Sequence, residues 1–415
     1  MARGSESETE RDRYFFVSRP SSATLPYLFA LASLVFASQA CRNTRFDPQR
    51  VLPRQLRDVP AQRLAYRFEP DIQPPPGADS EQTSSKLAPI QDDFNAHRKD
   101  EALLRTVVSP DGLRALALYA TADEPSENFK IDLYAADGKF LRNLTPPDLA
   151  AAFPESVVWS SDGSLIAFAG RKSLKPEPTP EPPGEEPEIP VASPQPSPSV
   201  APAFAPVRVF DTEQIYLCNR DGFDLKPLTT RVGLIYFALA WAPDNSALAA
   251  LACKEDEWEA RERQSKLPAG RPRLIALDGH ERLLDDALAE SSPVWSPDSS
   301  KVATSFDTDV GIYDATAKTP TQARIPLRDN LIAASSSYDE KMAMQKKKAG
   351  DRTSNSQTGQ ETNLPVSFNP IVRLQWVTPE RLYVQTGYVR QMRGEPINTF
   401  LRWHLITLSP QAMLL

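Results

Sequence analysis

A short phrase recurs along this chain of 415 residues. It reads Trp159-Ser160-Ser161-Asp162, Trp241-Ala242-Pro243-Asp244, Trp295-Ser296-Pro297-Asp298 and, more loosely, Trp376-Val377-Thr378-Pro379-Glu380, with a Trp-less relative, Val108-Ser109-Pro110-Asp111, ahead of them all. Each copy ends one apolar run and starts another, as Leu165 to Ala169 follows Asp162. Self-similarity at a period of about 40–50 residues marks a unit that buries its apolar faces by stacking on copies of itself, in a propeller or a solenoid. That constrains the architecture before any single residue is weighed. It names no reaction.

The second half of the unit repeats too. Ile131-Asp132-Leu133-Tyr134-Ala135-Ala136-Asp137-Gly138 runs on to Leu141, Leu144 and Thr145, and Ile215 to Gly222 runs on to Leu225, Leu228 and Thr229 at the same offsets. Leu274 to Gly279, then Leu283-Leu284, is a third copy. Asp-Gly between two apolar strands signals a hairpin, because Gly accepts positive φ and Asp bonds its own backbone. One unit therefore reads as four short antiparallel strands. The first ends at the Trp, Ser-Pro-Asp makes a turn, the second follows it, the third reaches Asp-Gly, and the fourth carries the last leucines. The second strands (Leu113 to Tyr119, Leu165 to Ala169, Ala247 to Ala252, Lys301 to Phe306) are almost continuously apolar, as in a sheet covered on both faces. Blades packed around an axis provide that cover.

The series Trp-Ser-Pro-Asp, Ala-rich strand, Ile-Tyr-Leu, Asp-Gly, Leu-Thr resembles the blade repeat of TolB-type propellers, the WD40-like Pro-Asp (PD40) repeats. The resemblance covers roughly residues 100–412. It implies an all-β fold, a β-propeller of four-stranded antiparallel blades within residues 99–412. Five blades are recognisable, and six if a degenerate one closes the ring. Arg63 to Phe68 is a candidate outer strand for the C-terminal blade, since a propeller must close. Such propellers also occur as regulatory halves of prolyl-oligopeptidase-type peptidases. TolB itself contacts a peptidoglycan-associated lipoprotein, which implies envelope-protein partners here.

The N-terminus carries an address. Arg11, Arg13 and Arg19 precede the apolar run Leu25 to Phe36 and the small residues Ala37-Ser38-Gln39-Ala40, which together describe a secretory signal over residues 1–40. The run is short of the ~20 residues needed to span a bilayer, so no transmembrane span is expected after its removal. Cys41 follows the small residues and resembles the lipobox cysteine of bacterial lipoproteins, which implies acylation and a membrane anchor; cleavage beside an incidental cysteine is the alternative. Either way the expected location is the periplasm or cell surface. Residues 41–98, rich in Arg, Gln, Asp and Pro, read as a mostly irregular tether.

Of 40 prolines, many fall in one tract, 175–206, which reads as an extended, solvated insert. A second insert, 329–365, is Ser-, Lys-, Gln- and Asn-rich and reads as disordered. Lys346-Lys347-Lys348 within it reads as a solvated loop. Lys254 to Lys266 is rich in helix formers, with Glu257 and Arg261 at i,i+4, and reads as a helical excursion with Trp258 packed onto the sheets.

Chemistry is sparse. The net charge of -7 argues against nucleic acid as partner. His97, His280 and His404 have no His or Cys at ligand spacing, no Gly-x-Ser-x-Gly elbow occurs, and no phosphate-cradling loop is present. No catalytic residue, cofactor or metal site is assigned, and the chain is expected not to be an enzyme. Asp111, Asp162, Asp244 and Asp298 read as turn caps and not as a cation ring. The tryptophans read as packing between blades and not as an aromatic cage. Cys218 and Cys253 read as buried thiols, with a bridge as the alternative. The expected function is a lipid-anchored interaction or scaffolding module of the cell envelope. A sensor or carrier of a sugar or peptide, and a regulatory half of an enzyme completed by another chain, are the alternatives.

Overall fold

The Ser-Pro-Asp and Asp-Gly phrases are both turns, and in the first three meanders they end the first and third strands. The computed structural model describes residues 55–78, 86–121, 128–172, 212–348, 370–390 and 398–411. An early strand, β1 (Leu64–Glu69), and helix α1 (Ala88–His97) precede the repeats. A first meander follows, β2 (Glu101–Val108), β3 (Arg114–Thr121), β4 (Lys130–Ala135) and β5 (Phe140–Asn143), paired in that order. In the second, β6 (Leu149–Ala152) and β7 (Val158–Trp159) are two pieces of one strand. Both pair with β8 (Leu165–Lys172), followed by β9 (Glu213–Asn219) and β10 (Lys226–Pro227). The third comprises β11 (Leu234–Trp241), β12 (Ala247–Lys254), helix α2 (Glu255–Arg263), β13 (Arg271–Ala276) and β14 (Glu281–Leu283). A parallel bridge from Ile235 to Glu213 merges the second and third meanders into one nine-stranded sheet.

The fourth meander is β15 (Val294–Trp295), β16 (Lys301–Phe306), β17 (Asp309–Asp314) and β18 (Gln322–Pro326), and helix α3 (Arg328–Lys348) follows it. The last sheet takes β19 (Ile371–Thr378), β20 (Arg381–Arg390) and β21 (Asn398–Pro410) from the C-terminus. Its fourth strand is β1, which runs antiparallel to β21 from Leu64↔Pro410 to Glu69↔Leu405. The molecule is thus mostly β, built of four-stranded antiparallel sheets consistent with a β-propeller; no closed ring is seen among the described residues.

Adjacent sheets bury one another's faces. Leu116, Ile131 and Leu133 of the first pack on Trp159, Ile166 and Phe168 of the second. Ile215 and Leu217 meet Tyr236, Trp241 and Leu248, and Ala247 and Ala249 meet Trp295 and Val302. Val310 and Ile312 meet Leu374, Trp376 and Ile406. At the two ends of this series, non-sheet segments supply the cover. Ile90 and Phe94 of α1 lie on Ala115, Ala117 and Tyr119, while Ile72 and Ala78 lie on Tyr383, Trp403 and Leu405.

The repeated residues do local work. Ser109, Ser160 and Ser296 each donate to the aspartate two positions on at 2.6 Å, and each hydroxyl accepts an N–H from the start of the second strand. The aspartates in turn accept the N–H of Leu113, Ser164, Ser246 and Ser300. The Ser109 and Ser160 hydroxyls, foremost among these donors, hold Asp111 and Asp162 below the usual carboxylate range. The tryptophans add a link between sheets that packing alone does not require. Trp159 Nε1 donates to the Val107 carbonyl (3.1 Å), Trp241 Nε1 to Val158 (3.4 Å) and Trp295 Nε1 to Ala240 (3.0 Å), each acceptor belonging to the first strand of the preceding meander.

Two expectations need revision. Residues 55–78, placed within a tether, are instead folded onto the sheets. Leu56, Val59 and Ala61 are buried in the last interface, and the Ala61 N–H donates to Asp314 across 253 residues of sequence. Their apolar residues are too scattered to show a period, so only the distant partner reveals their burial. The disorder expected over 329–365 is replaced by α3 as far as Lys348. Leu331, Ala334 and Ser335 are buried, and Tyr338 lies against Phe400 at 5.2 Å, so one i, i+3, i+4, i+7 stripe seats a polar helix. Residues 1–54, with the expected signal and Cys41, and the Pro-rich tract 175–206 lie outside the described residues. Cys218 and Cys253 are free, and both are buried.

Candidate ligand site at one mouth of the sheets

Every first strand runs toward its Ser-Pro-Asp turn, so the other end of the sheets gathers the starts of first and third strands and the ends of second strands. At this end lie the end of β8, the start of β9 and helix α2, which joins β12 to β13. A cavity of about 370 Å³ opens there. Leu104 of β2, Ala152 of β6 and Ile235 of β11 bring three successive first strands to it, and α2 forms its rim.

Helix α2 continues β12 with no loop between them. Glu257 accepts the Lys254 N–H (3.0 Å) and receives both terminal nitrogens of Arg271 at 2.7 and 2.8 Å. That fork, the largest influence on it, draws the Glu257 carboxyl below its ordinary range. Arg261 pairs with Glu290 and donates to the Leu267 carbonyl at 2.6 Å. The expected Glu257–Arg261 pair is therefore divided between Arg271 on β13 and Glu290 in the connection before β15, and both bonds pin the helix down.

With that side committed, Glu255, Trp258, Glu259 and Glu262 line the cavity. Trp258 packs on the sheets as expected, 5.1 Å from the Phe153 ring and 5.4 Å from Phe237. Phe153 sits at the break between β6 and β7 with φ of 59°, a left-handed backbone that non-glycine residues rarely adopt. Beneath this trio lies a core of Ile235, Phe237, Leu251 and Cys253. Burial pushes the Cys253 thiol up to about 12, so it stays neutral. At the base, Glu213 is 2% exposed and pairs with Arg171 at 2.7 Å.

The opposite end carries ion pairs between the first two sheets. Arg114 bonds Asp221 and Arg220 bonds Asp111, cross-linking the first two sheets at their turns. His280 is exposed in its turn, as expected, and its N–H bonds Asp278. His97 is exposed and pairs with Asp93 on α1, whereas His404 is fully buried far along the chain from either. None of the residues weighed as chemical candidates in the sequence enters the cavity. Phe153, Arg171 and Glu213, which line it, carry no motif. Arg171 and Glu213 have position as their one sequence signal, since they flank the Pro-rich insert.

No protein-family model matches the sequence, and no curated protein is similar to it. Similar solved structures exist. Prolyl oligopeptidase B from Galerina marginata is 10% identical with a TM-score of 0.41, covering 74% of this chain and 35% of its own. An oligogalacturonate lyase from Vibrio parahaemolyticus is 9% identical with a TM-score of 0.33, covering 74% and 67%. A putative dipeptidyl aminopeptidase IV from Bacteroides ovatus is 11% identical with a TM-score of 0.35, covering 72% and 38%. This chain spans about a third of the length of the first of these. Prolyl oligopeptidase and oligogalacturonate lyase have β-propeller domains. The expectation that the chain is not an enzyme is corrected by these neighbours, which are peptidases and a lyase, and the link they make is one of fold.

Proposed function

We propose that this chain is an exported β-propeller of five blades, closed by β1 and anchored to a bacterial membrane through an acylated Cys41, that acts as an interaction module of the cell envelope. Its partner is taken at the mouth rimmed by α2. The cavity carries this reading: it joins three successive first strands, an apolar floor and polar groups in one concave place, the usual form of a recognition site. The signal-like N-terminus and the TolB-type repeats support the address. A volume of about 370 Å³ suits one inserted side chain or a small ligand, so the peptide-carrier reading uses the same mouth.

Photo-crosslinking in cells tests the proposal. A crosslinking residue at Glu259, on the rim, gives an adduct with an envelope component, while one at His280, at the opposite end, gives none. Adducts from His280 alone would move the contact face to the turn end. Cys41→Ala releases the protein from the membrane fraction if the anchor is that thiol.

A further inference from the structure

We infer that the mouth cavity receives a cationic group on an aliphatic stem, the ammonium of lysine or the guanidinium of arginine in a peptide segment. This deepens the reading of the mouth just given and rests on it.

The charge inventory is one-sided. Among the described residues five glutamates line the cavity against one arginine, and that arginine, Arg171, is paired with Glu213 at the base. No described side chain donates to the carboxylates of Glu155, Glu255, Glu259 or Glu262. Three of these lie on one helix at i, i+4 and i+7, a spacing at which like charges repel and weaken the helix. A merely solvated helix face gains nothing from such crowding, whereas a bound cation relieves it.

The feature is a cavity with walls as well as a set of carboxylates. Trp258 and Phe153 line it together, and aromatic faces attract organic cations, tryptophan most of all. Leu104, Ala152 and Ile235 offer apolar surface to the methylenes of a long side chain. The helix is oriented independently of any ligand, because Glu257 and Arg261 are tied to Arg271 and Glu290 behind it. Among the described residues no three His, Cys, Asp or Glu side chains converge as a metal-ligand set, so the arrangement suits a diffuse organic cation. Acid, aromatic and aliphatic walls together select charge and stem at once.

The full chain, titrated by tryptophan fluorescence and calorimetry, supplies the test. The probes are blocked tripeptides with central lysine, arginine or norleucine, and spermidine as a free polyamine. Lysine or arginine peptide binds about tenfold more tightly than norleucine, and the Glu259→Gln/Glu262→Gln double variant, both side chains being exposed, removes that advantage and flattens the salt dependence. Tighter binding of spermidine than of either peptide, still lost in the double variant, supports the cation site and assigns it to free polyamines. Equal affinity for lysine and norleucine, affinity unchanged in the double variant, or no binding of any probe overturns the inference. In those cases a persisting crosslink at Glu259 leaves the mouth as a contact face, and its absence removes both readings.

Discussion

Asp71 grips Arg402 with both carboxylate oxygens, Nε to Oδ1 and Nη2 to Oδ2, each at 2.7 Å. The guanidinium is nearly buried, and it also donates to the Ala334 carbonyl and the Ser335 hydroxyl of α3. Asp71 adopts a left-handed φ of 55° just past the end of β1. One ion pair thus ties the segment just after β1, the last sheet and the helix that precedes that sheet.

Removing the charge while keeping a residue that tolerates this φ isolates the pair. Asp71→Asn is expected to destabilise the fold by about 2–3 kcal/mol, because it leaves a buried guanidinium short of its counter-charge. Urea unfolding of the two proteins measures the difference. An effect within the scatter of surface substitutions would show that β1 is held by its strand pairing alone.

His404 makes stability depend on mild acid. Burial, foremost, and the neighbouring Arg402 lower it to about 4, against an opposing pull from Asp71. The Asp71 N–H donates to Nδ1 (3.2 Å), so Nε2 carries the proton and donates to Thr386 Oγ1 at 2.9 Å. The unfolded chain takes up a proton near pH 6.5 and the folded chain only near 4. Stability therefore falls as pH drops through that window, by on the order of 3 kcal/mol, and falls no further on this account below it. His404→Gln, which keeps one donor and one acceptor, flattens the profile between pH 6.5 and 4 in parallel thermal melts. A profile unchanged by the substitution would assign the dependence elsewhere.

The indole links are unequal. Trp295 Nε1 bonds the Ala240 carbonyl, whereas Trp376 Nε1 is buried with no hydrogen-bond partner among the described residues. Trp295→Phe is expected to cost about 1–3 kcal/mol from a stranded carbonyl and lost volume. Trp376→Phe removes an unsatisfied donor and costs less, or stabilises. Equal losses in chemical denaturation would mean that volume alone governs both sites.

Lys301 is 4% exposed, and its ammonium reaches the Val59 carbonyl at 2.7 Å and Asp314 at 2.9 Å. Lys301→Met strands the carboxylate and frees the lead-in segment, with an expected cost of about 3–5 kcal/mol. Adding Asp314→Asn to it recovers part of the loss. Limited proteolysis ahead of β1 reports the same release, and a single variant as protease-resistant as the parent would contradict it.

Much of the fold was legible because each repeat writes its turns locally. Ser109 and Asp111 bond one another two residues apart, and Gly138, Gly222 and Gly279 supply the positive φ at each Asp-Gly turn. Trp376, one position out of step in its phrase, is also a buried indole with no acceptor among the described residues, so the irregularity in sequence had a physical counterpart. The candidate site was half legible. The helical excursion and Trp258 were visible in helix formers and spacing, but Glu257 and Arg261 chose partners on β13 and beyond it instead of each other. Phe153 and Glu213 are ordinary residues until the second and third sheets meet.

What the amino-acid order determined by itself is the unit: strand lengths, turn chemistry and the apolar faces, all encoded within a dozen or so neighbouring residues. What the tertiary structure alone decided is how the series ends and where it is concave. The Asp71–Arg402 pair spans 331 residues of sequence and the Ala61–Asp314 bond 253, distances over which no periodicity carries information. Such contacts exist only because stacked sheets hold remote segments within bonding reach, and the mouth cavity has the same origin.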